Sequence, residues 1–270
     1  MKIIKPNATE LKQQLGFEGM LKHIELCGRT CYKSEDRITE DSCHKFVDML
    51  RKHAHGAMLE HGTVYLTVPK DDVMEWAASD CLNEDWLEFV RKLPYSKSSY
   101  DQDNYYITTN YRVIVENTLE DFMEKYKSEC TEHHYKRRTF KITCNRGVSH
   151  EFVRHRVFSF AQESQRYVNY SKDKFGKEIK VIKPLYFDDE KSLNYIHWKS
   201  SCEDSESRYF CLLNGGATPQ EARDVLPNAT ATELIMTGFE SDWDHFFELR
   251  CAKDAHPQAQ EIANMIKEQF

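Results

Sequence analysis

The chain has 270 residues, of which 40% are hydrophobic and 30% are charged, and its formal net charge is −7. This composition is typical of a folded globular protein and excludes a largely disordered chain. The acidic balance argues against general nucleic-acid binding, which requires a basic surface. The start M-K-I-I-K-P-N lacks the apolar core of a signal peptide, and no apolar run approaches membrane-spanning length. The nine cysteines form no C-x-x-C pair. We therefore expect a cytoplasmic protein with reduced thiols that binds neither nucleic acid nor membranes.

The first half of the chain is predicted to mix helices and strands. Asn7-Ala8-Thr9-Glu10 resembles a capping box, which predicts the start of a helix. Apolar residues at helical spacing predict further helices over about 20–31 and 40–53. Strands are predicted over 63–68, 105–115 and 138–144, and helices over 71–93 and from Thr118.

The second half continues the same mixture. Gly176 lies between the runs 167–170 and 179–182, which predicts a hairpin. Helices are predicted over about 188–213 and from Thr218, Ser241 and Pro257, and a strand over 232–239. The elements together predict an α/β (α+β) fold, with a central mixed or antiparallel sheet flanked by helices, in a single domain over residues 1–270.

Residues 154–166 read R-H-R-V-F-S-F-A-Q-E-S-Q-R and are the densest group of anion-binding side chains in the sequence. Apolar residues at near-helical spacing between 148 and 153 predict a short helix just before them. Its free side would carry His150, Glu151, Arg154 and His155. One face of this helix is therefore expected to pack, and the other to be available for a ligand.

Beyond Ala161 the pattern changes to period two, so Ser164 and Arg166 would point the same way from an extended segment. Arginine offers a planar fork that matches phosphate, and serine adds a short donor. The two side chains could then share one phosphate. Arginine-rich helix ends are also common as solvated faces, so the residues alone leave a ligand site and a plain surface both open.

A histidine-rich turn contains His53, His55 and His61, so a metal site has to be considered. No cysteine or carboxylate lies at a diagnostic spacing from them. His150 and His155 read H-E-x-x-x-H, and the extra residue relative to H-E-x-x-H moves the second histidine off the first one's helix face. The sequence therefore favours a site without metal, and any cofactor must be held by side chains because glycine-rich phosphate loops are absent.

The pattern R-H-R at 154–156, followed by seven residues and Ser164, resembles the signature of the flavin-dependent thymidylate synthases. The resemblance extends to R-x-C-Y and H-x-H near the N-terminus, to E-A-R-x-x-L-P around Arg223 and to the L-R pair that ends at Arg250. It implies an enzyme that methylates dUMP to dTMP, with 5,10-methylenetetrahydrofolate as carbon donor and FAD as hydride source. NADPH or NADH would reduce the flavin, no enzyme nucleophile is needed, and a homotetramer with sites shared between subunits is implied.

The resemblance also implies site residues, position by position. The implied dUMP contacts are Glu151, Arg154, Gln162, Glu163, Ser164, Arg166, Arg223 and Arg250. The implied FAD contacts are His55, Arg154, His155, Arg156, Gln162 and His245. Arg250 is the predicted catalytic residue, because a fixed cation beside the uracil favours the ionised ring and increases its nucleophilicity.

Three features depart from the shorter members of that family. Gln162 stands where many members have glutamate, and Phe239, Ser241 and His245 replace an N-A-R-S-L-x-N-F type run, which leaves the flavin contacts there open. Residues of about 70–136 look inserted. Two alternatives therefore remain, a nucleotide-binding protein of the same fold without turnover and a metal-dependent hydrolase built on the histidine-rich turn.

Overall fold

The computed structural model describes residues 1–73, 93 and 95–270. Its strands are β1 (Lys2–Ile4), β2 (Asn7–Glu10), β3 (Thr63–Pro69), β4 (Lys97–Tyr100), β5 (Asn104–Asn110), β6 (Arg137–Asn145), β7 (Ser159–Gln162), β8 (Lys180–Ile182) and β9 (Ala231–Phe239). Its α-helices are α1 (Gly16–Tyr32), α2 (Ser42–Lys52), α3 (Gly56–Leu59), α4 (Tyr111–Glu116), α5 (Glu120–Tyr126), α6 (Arg146–Phe152), α7 (Leu193–Asn214), α8 (Pro219–Ala222), α9 (Glu240–Arg250) and α10 (Pro257–Lys267). Helices and antiparallel sheets confirm the predicted fold class.

The described strands form three sheets. The central one has the order β2-β6-β9-β7 and is antiparallel throughout. Its longest pairing joins β6 to β9, with Arg137 opposite Phe239 and Asn145 opposite Ala231. A second antiparallel sheet has the order β3-β5-β4, and β1 pairs with β8 in parallel. The central sheet is the part that leads into α6 and α9, the two helices that carry the predicted site.

Helices cover both faces of the central sheet. On one face Phe140 of β6 packs edge-on against Trp243 of α9, with ring centroids 5.0 Å apart, beside Ile262 of α10. On the other face Cys27 of α1 packs against Ile235 of β9. Because β9 is covered on both sides, residues 234–239 are buried in succession, without the alternation typical of a half-exposed strand.

A second hydrophobic core lies between α1, α2 and the three-stranded sheet. Its fully buried members include Ile24, Leu50, Leu66, Ile107 and Ile114. The apolar stripes that predicted α1 and α2 face this core, as the helical spacing required. The segment predicted to be an insertion therefore contributes strands and apolar residues to a packed core.

Two predicted elements in the first half of the chain are wrong. Residues 7–10 form β2, because their backbone pairs with β6 from Asn7 opposite Thr143 to Glu10 opposite Phe140. The strand predicted over 105–115 ends at Asn110, whose Oδ1 accepts a hydrogen bond from the N–H of Val113 at 3.2 Å and caps α4. Of the helical segment predicted over 71–93, residues 74–92 lie outside the described residues.

The hairpin predicted around Gly176 is also wrong. β8 pairs with β1 at the start of the chain, with Lys2 opposite Lys180, and residues 167–170 form no strand beside it. Gly176 does occupy the left-handed region, with φ of 74°, where glycine carries no steric penalty. The glycine therefore does mark a turn, but the partner of β8 is β1, which lies 178 residues earlier in the chain.

α7 begins five residues later than the predicted start at about 188. The Oγ of Ser192 accepts a hydrogen bond from the N–H of Tyr195 at 3.2 Å and so caps the helix. This is the longest helix in the part of the chain that the structure describes, with 22 residues. No helix in that part is both long and apolar enough to cross a membrane.

Candidate functional site

The short helix α6 places the R-H-R stretch at one end of the central sheet. Asn145 ends β6 and caps α6, because its Oδ1 accepts from the N–H of Val148 at 2.8 Å and its Nδ2 donates to Gln258 Oε1 at 3.0 Å. Phe152 is fully buried against Phe246 of α9, with ring centroids 5.1 Å apart. α6 is therefore fixed at both ends by buried contacts.

His155 does not lie on the free side of α6, so that expectation is wrong. The helix ends at Phe152, and the chain then turns His155 inwards, where its ring contacts Phe246 at a centroid distance of 5.0 Å. Arg154 and Arg156, on either side of it, remain exposed. The stretch thus presents two arginines outwards and one histidine inwards.

Arg250, at the C-terminal end of α9, is bonded to the R-H-R stretch. Its Nη1 donates to Glu151 Oε2 at 2.6 Å, its Nη2 to the Glu151 carbonyl at 2.9 Å and its Nε to His155 Nε2 at 2.9 Å. Three of the predicted site residues therefore meet in one cluster, which we call the Arg250 group (Glu151, His155, Arg250).

The imidazole of His155 is neutral at physiological pH. Burial lowers its pKa to about 4, and the guanidinium of Arg250 acts in the same direction. Because Nε2 accepts from Arg250, the ring proton must reside on Nδ1. His245 lies close enough to lower this pKa further, although its own Nδ1 is 3.4 Å from Glu248 at the surface.

Three further predicted arginines are exposed cations. Arg154, Arg156 and Arg166 are solvent-exposed, and within the described ranges none of them has a carboxylate oxygen within 4 Å. Most other arginines in that part of the chain, such as Arg112 and Arg138, are engaged in ion pairs. The three side chains are therefore available to bind an anion.

Ser164 and Arg166 do not lie on an extended segment, which corrects the period-two interpretation. The N–H groups of Tyr167 and Val168 both donate to the Ser164 carbonyl at 3.1 Å, and this closes a turn. The Ser164 N–H donates to the carbonyl of Cys31 at 3.1 Å and ties the turn to the end of α1. The turn leaves Arg166 and Tyr167 exposed and buries Val168.

The same turn meets the H-x-H region. Tyr32 Oη lies 3.2 Å from His55 Nδ1, and the Tyr32 ring lies 6.2 Å from the ring of Tyr167. The guanidinium of Arg166 lies 5.4 Å from the Tyr167 ring centre. These four residues are called the Tyr167 group (Tyr32, His55, Arg166, Tyr167). Among the described residues, no hydrogen bond, ion pair or ring contact joins it to the Arg250 group.

Gln162 and Glu163 point into the protein. Gln162 Nε2 donates to Ser149 Oγ at 2.9 Å and so ties β7 to α6. Glu163 is buried, and its Oε1 accepts from Tyr170 Oη at 3.2 Å while Lys33 Nζ lies 3.8 Å from its Oε2. Burial raises the pKa of Glu163. A role in contacting dUMP remains a prediction for both residues.

Arg223 has a basic neighbour that the sequence analysis missed. Arg223 follows α8 and is partly exposed, 4.0 Å from Asp224. Burial lowers the pKa of Arg146, and the nearby guanidinium of Arg223 lowers it further. The two guanidinium groups thus interact electrostatically, and an anion that contacts both would relieve their repulsion. The available signal was the arginine that opens α6, directly after the strand.

The histidine-rich turn does not gather metal ligands. His61 is fully buried, with its Nδ1 2.7 Å from Thr237 Oγ1, whereas His53 and His55 are exposed. Within the described ranges, the group of three potential ligands with atoms within 4.8 Å of one another is Glu18, Cys43 and His44, on α1 and α2. The histidines that suggested a hydrolase therefore do not converge.

Cys31, in the R-x-C-Y motif, and Cys251, next to Arg250, are protonated thiols. Burial raises the pKa of Cys31 to about 12. Burial also raises the pKa of Cys251. A thiol attacks as its thiolate, so neither side chain is activated in this structure.

Comparison with known proteins identifies the family. The family model described as "Thymidylate synthase complementing protein" matches residues 67–270. A flavin-dependent thymidylate synthase from Pyrococcus furiosus is 29% identical over 165 residues, which are 60% of this chain and 66% of that protein. One from Geobacter sulfurreducens is 34% identical over 119 residues, 44% of this chain and 49% of that protein.

The chain thus spans about half to two thirds of the length of these relatives. A solved structure of a UMP/dUMP methylase from Streptomyces cacaoi, bound with 5-Br dUMP, is similar over 100% of this chain and 91% of that one, with a TM-score of 0.45 and 16% identity. The family match alone covers well over half of the sequence. The chain therefore belongs to the thymidylate synthase complementing protein family, the family of the flavin-dependent thymidylate synthases that its R-H-R motif resembles.

Proposed function

We propose that this chain is a flavin-dependent thymidylate synthase. It methylates dUMP to dTMP with 5,10-methylenetetrahydrofolate as carbon donor, and FAD reduced by NADPH or NADH supplies the hydride. Family membership and the activity for which the relatives are named support this proposal. The observation that carries it is the bonding of Arg250 to Glu151 and His155, because it joins two separate predicted motifs.

The residues that would hold FAD fit a phosphorylated, planar ligand. Arg154 and Arg156 are exposed and have no carboxylate partner in the described part of the chain, so they can neutralise a diphosphate. The neutral ring of His155 lies between them in sequence, with its Nδ1–H as a donor. His55, Gln162 and His245 complete the proposed flavin contacts.

The residues that would hold dUMP are mainly cationic. Arg154, Ser164, Arg166 and Arg223 are proposed to contact the nucleotide, and the phosphate is the natural partner of the exposed guanidinium of Arg166. Arg146 lies beside Arg223 and adds positive charge there. Glu151, Gln162 and Glu163 would border the same nucleotide.

Arg250 is proposed as the catalytic residue. Its guanidinium is oriented in advance by three hydrogen bonds, so its charge needs no reorganisation during the reaction. A fixed cation beside the uracil stabilises the negative charge that develops on the ring as it attacks the methylene carbon. Glu151 restrains Arg250 through both its carboxylate and its backbone carbonyl, and so acts as a positioning residue.

We also propose that each site is shared between subunits of a homotetramer. Within the described chain, the Arg250 group and the Tyr167 group have no contact in common, yet both contain residues assigned to the same ligands. A neighbouring subunit could bring the two groups together. Sedimentation of the purified protein would test the tetrameric state on which this arrangement depends.

Activity with purified protein tests the proposed function. We expect bound flavin to give visible absorbance and dTMP to form from dUMP when methylenetetrahydrofolate and NADPH are supplied. Colourless protein that binds dUMP without turnover would instead favour a nucleotide-binding protein. A stoichiometric metal together with hydrolase activity would favour the histidine-rich turn as the active centre and overturn the proposal.

A further inference from the structure

A cavity of about 450 Å³ lies between the core of the protein and the segment predicted to be an insertion. The loop between β2 and α1, the start of β3, residues 123–130 and the start of β6 line it. Its apolar wall includes Leu11, Phe17, Met20 and Val64. None of the residues assigned to dUMP or FAD lines this cavity, so it is distinct from the site described above.

Arg137 supplies a cation to the cavity wall. Its Nη1 donates to Thr63 Oγ1 at 3.2 Å and its Nη2 to the carbonyl of Glu60 at 3.0 Å. Its Nε is enclosed and has no hydrogen-bond partner. Among the described residues, no carboxylate oxygen lies within 4 Å of this guanidinium, so its hydrogen-bond acceptors are neutral. The carboxylates of Glu60 and Asp242 act on its charge from farther away.

The other basic residues of the cavity are balanced or solvated. Arg138 Nε donates to Glu10 Oε1 at 2.7 Å, Lys127 Nζ lies 2.6 Å from Glu124 Oε1, and Lys12 is exposed. In the described part of the chain, Arg137 is therefore the basic residue of the cavity wall that is enclosed but not directly paired with a carboxylate. Burial lowers the pKa of Arg137 to about 10, so it still carries its charge at neutral pH.

The cavity also provides a neutral donor. Tyr65 lines it, and burial, with Cys130 beside the phenol, raises the pKa of Tyr65. The phenol is therefore protonated at neutral pH and can donate to an anion. The wall thus combines apolar side chains with an enclosed cation and a hydroxyl, beside Glu10, which is paired with Arg138, and the exposed Glu129. The cavity volume is in the range usual for small-molecule sites.

We propose that this cavity binds a small amphipathic anion, with an apolar body against Phe17, Met20 and Val64 and an acidic head on Arg137. A buried charge without a directly paired counter-ion is costly, and an anionic ligand reduces that cost. Because residues 123–130 belong to the predicted insertion, the site would couple a ligand to that segment. This proposal is independent of the proposed function.

A matched pair of probes tests the charge requirement. By calorimetry on the full chain, 2-naphthoate is expected to bind about ten-fold or more tightly than the neutral 2-naphthalenemethanol, as for a hydrogen bond to a charged group. Arg137→Met should abolish this preference, whereas Arg138→Met, which removes a cation already paired with Glu10, should retain it. Equal affinity of the two probes for the wild-type protein, or an unchanged preference in Arg137→Met, would overturn the proposal.

A second measurement locates the ligand and needs no substitution. Cys130 lines the cavity and is partly exposed, whereas Cys211 is exposed on α7 and is not part of the cavity wall. 2-Naphthoate should slow the alkylation of Cys130, resolved by mass spectrometry, and leave Cys211 unaffected. Binding without protection of Cys130 would place the probe elsewhere and contradict the proposal, even if the arginine variants fail to fold.

Discussion

Arg250 Nε lies 2.9 Å from His155 Nε2, although 95 residues separate the two in sequence. The contact fixes the imidazole as the neutral Nδ1–H tautomer and holds the guanidinium beside the exposed arginines of the R-H-R stretch. It also shows how α6 and α9, which follow the paired strands β6 and β9, meet at their C-terminal ends. Arg250 therefore both holds α6 and α9 together and is the residue that we propose as catalytic.

Replacement of Arg250 by alanine tests the catalytic assignment. We expect Arg250→Ala to lower turnover by a factor on the order of a hundred or more, as for the loss of one preorganised electrostatic donor. Initial rates of dTMP formation at saturating dUMP measure this. Arg51→Ala, which removes an exposed arginine paired with Glu120, serves as the control and should leave turnover unchanged. Wild-type turnover in Arg250→Ala would refute the assignment.

Buried histidines predict that acid destabilises the fold. Burial lowers the pKa of His23 to about 4 and that of His61 to about 3. In the unfolded chain both titrate near 6.5, so between that pH and about 4 the unfolded state binds protons that the folded state does not. Their contribution to stability is therefore complete above pH 6.5 and is lost as the pH falls towards 4.

Urea unfolding at several pH values between 7.5 and 4.5 measures this effect. Carboxylates also titrate in this range, so the comparison with His61→Gln isolates one histidine. The variant should show a shallower loss of stability on acidification than the wild type. Parallel pH profiles for the two proteins would show that His61 is not held neutral by burial.

Lys33 balances the negative charges of Glu163 and Glu233. Lys33 Nζ lies 2.5 Å from Glu233 Oε2 and 3.8 Å from Glu163 Oε2. Lys33→Met should destabilise the protein by about 3–5 kcal/mol, because it leaves a buried charge uncompensated. Lys141, 2.7 Å from Glu233, continues to balance that residue, so the loss should arise mainly at Glu163.

A double substitution separates the charge effect from lost packing. Adding Glu163→Leu to Lys33→Met removes the stranded carboxylate and should recover part of the stability, measured as a coupling free energy by denaturant unfolding. Additive effects of the two substitutions would indicate that the lysine contributes through packing alone.

Gly238 on β9 has no room for a side chain. A Cβ at this position would lie 2.5 Å from Cδ1 of Phe158, whose ring packs against Trp243 at a centroid distance of 4.6 Å. Gly238→Ala should cost about 1–3 kcal/mol through overpacking, measured by thermal unfolding. Gly215→Ala, where the nearest atoms are 3.4 Å away, is the matched control and should be tolerated. Equal stability of the two variants would contradict the overpacking argument.

The elements predicted best are those with long, clear periodicity. The apolar stripes of α1 and α2 and the capping box at Thr218 specified their helices locally, and the structure contains them. Asn7-Ala8-Thr9-Glu10 failed because its local capping signal lost to pairing with β6, more than 130 residues away. Tertiary pairing of this kind has no signature in a short window of sequence.

The sequence predicted which residues belong to the site, but it did not predict how they are arranged in space. The motif identified Arg250, Glu151 and His155, but their mutual contact depends on α6 and α9 crossing, which no local pattern encodes. Lys33 and Arg146 were missed because a single basic residue has no periodicity to mark it. Their roles follow only from what folding places beside them.

The length of helix α9 sets the position of Arg250 for the proposed reaction. It starts where β9 ends, next to Phe239, and delivers Arg250 to the R-H-R stretch after eleven residues. One added residue would shift its end by about 1.5 Å and rotate it by about 100°. All three hydrogen bonds of Arg250 would then be lost together. The length of this helix, and not only the residue at its end, is therefore a determinant of activity, and loops elsewhere should tolerate insertions that α9 does not.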